Sequence, residues 1–507
     1  MIVCPQLPAA EAGLVVLRAG GNAVDAAVTA AFVQGVVDPH MNGIGGCGVM
    51  SVYTARTGQV EIIEFYARAG SLVTADQWEG LLERESADGY GYVLRGRVNE
   101  IGYQSVGVPG TVRGLATALE RHGTIDWRRA LEPAIELAST GVPVTAYMRD
   151  HWTRDVGPDF TPGLERLRVT PASEAIFLPE GRIPALGEVL DFSDLAMTLR
   201  RLAAAGADDF YRGEIAQAIA ADFAANGGHI TAADLAGYEA VIAEPVRGSY
   251  RDLDLFAPGP PGGGATLIQM LNFLELAGSG PADLVRAMGF AFADRDSVLG
   301  DPRFQELPVG QLLDKSYAMA RHESPTTTHM CVLDEAGNAV SLTHTLGAWS
   351  GVVTPGLGFN YNDYMNCFDP RPGRPNSIAP GKTRVSMMSP TIGLSGGQLR
   401  IVVGAPGATR IVTGILQTIV NLVDRGMHPF EAVAAPRLDF QGRQIVLEGR
   451  VPHSVEAELR ALGHPVVRRP ANYDSYFARP QVIWIEDGVA VGASDPRGDG
   501  GVCLSLV

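Results

Sequence analysis

The sequence predicts a layered α/β fold (α+β in its segregation), with sheets held between helices. Two observations lead there. Up to about residue 326 the chain reads as mainly helical, with a few short strand-like runs; beyond that point strands and turns dominate. No linker, composition break or internal repeat divides the 507 residues, so helices and sheets belong to one layered unit. At 46% hydrophobic and 19% charged residues, the chain has the makeup of a globular protein of enzyme size.

Taken in order, residues 9–18 read as a helix closed by Gly20-Gly21. Asn22 is a good cap for the next helix, whose Val24, Val28, Ala31 and Phe32 form one apolar stripe ending near Asp38-Pro39. The glycine-rich loop 40–48 has neither the Gly-Lys-Ser/Thr of a phosphate loop nor a dinucleotide fingerprint, so its glycines point to close backbone packing. Strands are expected at 49–53 and 60–66, turning at Arg56-Thr57-Gly58. Residues 76–150 read as mostly helical around Gly107-Val108-Pro109-Gly110-Thr111. Helices are expected at 194–204, 214–226, from Ala265 onward, and at 289–302. Further helices fall near 413–425, 429–435 and 453–462.

The most informative stretch is 325–351. Strand-like runs at 328–333 and 339–346 flank Asp334-Glu335-Ala336-Gly337-Asn338, which has hairpin-turn chemistry. With 335–337 as the loop, 333 faces 339, 330 faces 342, and Thr327 faces Thr345. Directly opposed residues have Cβ atoms roughly 4.5–5.5 Å apart. Thr343 shares a face with Thr345, because side chains alternate along a strand. A hydroxyl cluster at the open end of a hairpin is a place for a nucleophile.

Charge and cysteine usage narrow the classes. A net charge of −16 argues against nucleic acid or an anionic membrane as partner, since both require clustered Lys and Arg. Five scattered cysteines without a CxxC pair speak against a disulfide framework or a zinc site. His40, His329 and His344 lack metal-ligand spacing and read as structural histidines, so neither metal nor cofactor is expected. No basic-then-apolar leader and no long apolar run is visible, so a cytoplasmic location is expected.

Several motifs together resemble the γ-glutamyltransferase superfamily. They include 18–27 (RAGGNAVDAA), 107–111 (GVPGT), 260–264 (PPGGG) and Thr327-Thr328-His329. Gly337-Asn338-Ala339-Val340, Thr343-His344-Thr345, 386–391 (SMMSPT), 404–411 (GAPGATRI) and 492–500 (GASDPRGDG) follow in the family's order. The resemblance implies the four-layer αββα sandwich of N-terminal-nucleophile hydrolases. It implies self-cleavage between Thr326 and Thr327 into a large segment, 1–326, and a small one, 327–507, within one fold. Thr327 would then be the nucleophile, with its freed α-amine, which ordinarily titrates at roughly 7.7–8.0, as the base. Thr345 would hydrogen-bond Thr327 and Thr343 would orient the same end. Gly407 and Ala408 occupy the pair whose backbone N–H groups form the oxyanion hole, the second glycine being replaced by alanine.

The sequence departs from the family where glutamate is gripped. Tyr66 stands at the carboxylate-binding arginine, with Arg68 two residues on as a substitute. Tyr364 and Cys367 stand at the glutamine and amine-binding aspartate positions, Ser386-Met387 replaces a Ser-Ser pair, and Gly347 replaces an asparagine. The stretch 369–384 is short for a full lid. The reading is a substrate pocket lined by Tyr66, Trp349, Tyr364, Cys367 and Met387, for an amide without the glutamyl head. Oxamate-amidohydrolase-like and cephalosporin-acylase-like enzymes are relatives of this type. The expected partners are a small-molecule amide and the two chains of the cleaved precursor, with a homodimer of these heterodimers left open. Competing readings are a true γ-glutamyltransferase or glutathione hydrolase, a binding protein on the same scaffold, and a serine esterase at Ser395, whose Gly393-Leu394-Ser395-Gly396-Gly397 fits the G-x-S-x-G pattern.

Overall fold

The computed structural model describes residues 1–86, 91–315, 328–407 and 410–505, with backbone alone at Thr328. Thr326, Thr327 and Ala408 lie outside the described residues. Thirteen strands form two large sheets: β1 (Ile2–Cys4), β2 (Cys47–Thr54), β3 (Gln59–Phe65), β4 (Val241–Ala243), β5 (Val246–Tyr250), β6 (Leu253–Ala257), β7 (Thr328–Leu333), β8 (Ala339–Thr345), β9 (Thr391–Ser395), β10 (Gln398–Gly404), β11 (Gln481–Glu486), β12 (Val489–Ser494) and β13 (Gly501–Cys503). The first sheet runs β13-β1-β7-β8-β2-β3-β4 and the second β12-β11-β10-β9-β6-β5. Neighbours are antiparallel throughout both.

Apolar burial stacks these sheets into four layers. Val340, Leu342, Met330 and Val332 on the outer face of the first sheet pack against Val24, Val28 and Phe32 of the Ala23–Val37 helix. Cys331, Val49, Ile392, Val402 and Ile483 fill the space between the sheets. Ile401 and Val403 on the far face of the second sheet meet helices Gly264–Ala277, Pro281–Val298 and Ile411–Val423. The order is helix, sheet, sheet, helix, as the resemblance implies.

A sheet in the middle of such a stack is wet on neither face. All seven residues of β8 are accordingly buried. Its alternation sends Val340 and Leu342 toward the helices and Ser341, Thr343 and Thr345 into the inter-sheet space. Buried hydroxyls are costly unless they are hydrogen-bonded. Ser341 Oγ donates to Val403 O at 3.1 Å and Ser51 Oγ to Pro390 O at 2.7 Å, each bond tying one sheet to the other.

The hairpin has the expected register, from Leu333↔Ala339 to Thr328↔His344. Its turn is closed by Asp334 N donating to Asn338 O at 3.0 Å, and by Asn338 N donating to the Asp334 carboxylate at 2.9 Å. Asn22 caps its helix by accepting from Val24 and Asp25 N, with Asp25 returning a bond from Asn22 N.

Four expectations change. The Ala23–Val37 helix is buried on nearly every side rather than along one stripe, because helices Leu7–Arg18 and Trp127–Thr140 cover what the sheet leaves. The described residues between 76 and 110 hold no α-helix: three short 3-10 turns and strands Leu82–Glu85 and Tyr92–Leu94 precede the helices Thr111–His122 and Trp127–Thr140. The helix expected at 289–302 begins at Pro281, where a first-turn proline lacks only an N–H that the helix does not use. Ser395 ends one strand of the β9–β10 hairpin and donates to Asp252 at 2.8 Å. A nucleophile elbow requires strand, turn and helix, so the esterase reading is set aside.

Leu342 is fully buried between the central strands and the first helical layer. Leu342→Ala is expected to lower stability by about 2–5 kcal/mol, read as a lower urea midpoint.

Candidate active site

The open end of the β7–β8 hairpin gathers the polar groups singled out in the sequence. Thr345 is fully buried, pairs with Cys47 on β2, and its Oγ1 accepts the Gly347 N–H at 2.8 Å. Thr343 Oγ1 shares a hydrogen bond with His329 Nδ1 at 2.9 Å, and His329 Nε2 lies 3.2 Å from Cys331 Sγ. Burial pushes the His329 pKa down to about 3, so the ring is neutral and acts as a hydrogen-bonding strut. The second sheet presses against it: a Cβ at Gly404 would lie 2.3 Å from the imidazole. His344 bonds Gln34 at 2.7 Å, and His40 accepts from Trp152 Nε1 at 3.2 Å. All three histidines are structural, and among the described residues no His, Cys, Asp and Glu cluster could hold a metal.

Beyond Thr345 the chain turns sharply. Gly347 has φ +77°, and a Cβ there would lie 2.0 Å from Asp363 Oδ1. That oxygen accepts the Ala348 N–H at 3.0 Å. The asparagine expected of the family is thus excluded here by a neighbouring carboxylate. Burial pushes the Asp363 carboxyl up to about 6, with Arg166 pulling the other way from 3.5 Å.

Arg166 ties the turn to Glu100 and Thr161. Its Nη1 donates to Trp349 O at 2.5 Å and to Glu100 O at 3.0 Å, its Nη2 pairs with the Glu100 carboxylate, and its guanidinium lies 5.5 Å from the Trp349 ring centre. Glu100 is completed by the Thr161 N–H at 2.8 Å and hydroxyl at 3.0 Å. Trp349 is held in this way at φ +53°, which non-glycine residues rarely adopt.

Gly347, Ala348, Trp349 and Gly407 open onto a cleft of about 470 Å³, whose other wall includes His151, Arg154 and Phe160. The remaining expected substrate contacts do not share it. Tyr66 and Tyr364 are buried in the inter-sheet core beside Cys47, and Arg384 lies 4.2 Å over the Tyr364 ring. Met387 is fully buried against the second helical layer, and Ser386 Oγ accepts from Met388 N at 3.3 Å. Arg68 lies 4.7 Å over Tyr238 and donates to Glu239 O at 2.7 Å. With Tyr66 it lines a separate cavity of about 230 Å³. Cys367 lines a third cavity, behind Phe160. Of Tyr66, Trp349, Tyr364, Cys367 and Met387, expected together in one pocket, Trp349 alone lines this cleft. Aromatic burial draws both tyrosines inward, and stacking on Tyr238 turns Arg68 away. Sequence reasoning missed Arg166, Asp363, His151, Arg154 and Arg479, which come from distant segments; only Asp363 adjoins a residue singled out there, Tyr364.

Comparisons with known proteins agree with this geometry. The family model described as gamma-glutamyltranspeptidase matches residues 9–505. The acylase ACY 1 proenzyme of Pseudomonas sp. (strain SE83) is 38% identical, over 99% of this chain and 92% of its own length. The glutathione hydrolase proenzyme of Escherichia coli (strain K12) is 33% identical, over 98% and 90%. The crystal structure of cephalosporin acylase from Bacillus halodurans superposes with a TM-score of 0.88 at 29% identity, covering 99% of this chain and 95% of that one. Among the described residues no helix is long and apolar enough to cross a membrane.

The Gly347 turn offers a direct check. Gly347→Ala puts a methyl group against the Asp363 carboxylate at a positive φ, and is expected to cost about 1–3 kcal/mol. Urea denaturation of the variant reads that loss.

Proposed function

Because the chain belongs to the gamma-glutamyltranspeptidase family, we propose that it is a self-processing amidohydrolase with Thr327 as nucleophile. A threonine hydroxyl within a chain has no base beside it; cleavage between Thr326 and Thr327 frees an α-amine that supplies one. The segments 1–326 and 327–507 then remain one body. The first contributes β1, β2 and β3 and the second β7 and β8 to the same sheet, so cutting one peptide bond separates no layer.

The reaction runs in two halves. The α-amine takes the Thr327 hydroxyl proton as its oxygen attacks the amide carbon. The backbone N–H groups of Gly407 and Ala408 receive the developing oxyanion, a role in which one donor is worth about 10²–10³ in rate. The leaving amine departs with the proton, leaving an acyl ester on Thr327. Water, deprotonated by the same amine, then releases the acid.

The observation that carries this reading is the register Thr328↔His344. The reading extends that register by one residue, pairing Thr327 with Thr345. Thr345 already accepts the Gly347 N–H and keeps its own proton to donate to the nucleophile. His329 supports Thr343 from behind. The substrate is an amide without the glutamyl head, of the kind the acylase relatives' name implies. Tyr364 and Met387 are buried where the resemblance places glutamate contacts, and Gly347 faces Asp363 where it places asparagine.

Thr327→Ala is expected to stay a single chain on a denaturing gel and to lose amide hydrolysis. A variant that still cuts itself and still hydrolyses amides ends the proposal. In the processed protein kcat/KM is expected to rise with pH through roughly 7.7–8.0, the range of an ordinary α-amine that must be unprotonated to act. A flat profile down to pH 5 contradicts the amine as base. Rapid turnover of γ-glutamyl-p-nitroanilide beside slow turnover of simple acyl anilides favours the glutathione hydrolase reading instead.

A further inference from the structure

A further cavity, of about 300 Å³, shares only Arg479 with the cleft beside Trp349. It opens where the helix Leu7–Arg18 begins and the helices Ala23–Val37 and Trp127–Thr140 end. Leu7, Pro8, Val37, Leu137, Val142 and Pro143 give it apolar walls. Its charged lining is unequal, with Asp38 and Asp499 against Arg479. Arg479 is already engaged. Its Nη1 donates to the Tyr147 hydroxyl at 2.6 Å, and its charge faces Asp495 as well as Asp38.

Asp38 is 2% exposed, and its donors are neutral ones, the Gln6 amide and the Met41 backbone N–H. No salt bridge reaches it among the described residues. A buried carboxylate without a cation in contact is costly. Asp38 also caps the C-terminal end of the helix Ala23–Val37, where negative charge is disfavoured and a cation favoured. Burial pushes its carboxyl up to about 7, against the pull of Arg479. A buried file of amides nevertheless makes it an acceptor. His344 Nε2 lies 2.7 Å from Gln34 Oε1, Gln34 Nε2 donates to Gln6 Oε1 at 2.5 Å, and Gln6 Nε2 donates to Asp38. Each amide turns its NH2 group toward Asp38, and the file joins the cavity to β8 between Thr343 and Thr345. A second acceptor stands in the same lining. Gln481 is 1% exposed, its Nε2 donates to Arg479 O at 3.2 Å, and its Oε1 has no partner among the described residues. Buried polar atoms left without a partner are rare in a folded protein.

Two buried acceptors, one of them charged, and apolar walls match a ligand with several donors, a positive charge and a hydrocarbon body. We propose that this cavity is a second ligand site, which binds a small organic amine with its ammonium group against Asp38 and Gln481 and its hydrocarbon body between Leu7, Val37, Leu137 and Val142. Hydrolysis of an amide releases an amine, so the ligand belongs to the class of one product of the reaction proposed above. Binding itself does not rest on that reading.

Titration calorimetry of the purified protein tests it with three ligands of similar shape and no amide bond: phenethylamine, phenethyl alcohol and phenylacetate. The amine is expected to bind about 10–100-fold more tightly than the alcohol, the range of a charge-assisted hydrogen bond. Phenylacetate is expected to bind more weakly than either. Asp38→Asn keeps the shape of the side chain and is expected to bring the amine-to-alcohol ratio near one. Leu7→Trp, at a half-exposed position of the rim, fills the cavity and is expected to weaken the amine about tenfold. Thermal melting reports that each variant folds. No heat of binding from the amine, equal affinities for amine and alcohol, or tighter binding of phenylacetate overturns the proposal. So does an Asp38→Asn ratio equal to that of the wild type, or an amine affinity unchanged by Leu7→Trp, either of which puts the amine elsewhere. Should Asp38→Asn not fold, the wild-type ratio and Leu7→Trp decide. None of these outcomes bears on the nucleophile, which the Thr327→Ala gel and assay decide separately.

Discussion

The pairing of β7 with β8 inside a sheet buried on both faces is the constraint on which the rest depends. A one-residue slip would carry Val340 and Leu342 into the inter-sheet space and Ser341 and Thr343 against apolar helices, so the register is strongly held. Every polar group on the inner face then needs a partner within the sandwich. Ser341 finds it across the gap in Val403, and Thr343 in His329. The hydroxyls at the hairpin's end are thus positioned by the same burial that stabilises the fold. This is the rigid, well-supported setting that a nucleophile requires.

A second constraint governs what the site can accept. The turn after β8 places Gly347 and Trp349 at positive φ, and the buried Arg166, Glu100 and Asp363 hold it there. Removing one partner from such a network strands the others' charge, at a typical cost of about 3–5 kcal/mol. The network shapes the cleft more than it stabilises the protein: Asp363 closes the space beside Gly347, and Arg166 fixes Trp349 as a wall. The cleft beside this turn is lined by Trp349, His151, Phe160, Tyr476 and several arginines.

The parts of this organisation legible in the sequence were those with local causes. The Asp334-to-Asn338 turn sets the hairpin register, and Asn22 sets a helix start. The layer order could be read through the resemblance and the segregation of helices from strands. The cleft could not be read, because Arg154, Arg166, Arg410 and Arg479 meet only after the chain has folded and share no spacing. Tyr66 and Arg68 show the converse: the strand Gln59–Phe65 that leads to them was legible, but not the inward turn of one ring or the stacking of the other side chain on Tyr238. The mostly helical reading of residues 76–150 failed ahead of Thr111 for a local reason that was visible, since Gly80, Gly91, Gly96 and Gly102 fall there.

The central claim is that Thr327 becomes a chain terminus and then carries the acyl group. Mass spectrometry of the incubated protein, intact and after digestion, measures both events when a slowly hydrolysed amide is added. The expected result is a second N-terminus beginning at Thr327, with the acyl mass on the peptide that starts there. An active preparation consisting only of the uncut chain, or an acyl group on any other residue, would contradict the account.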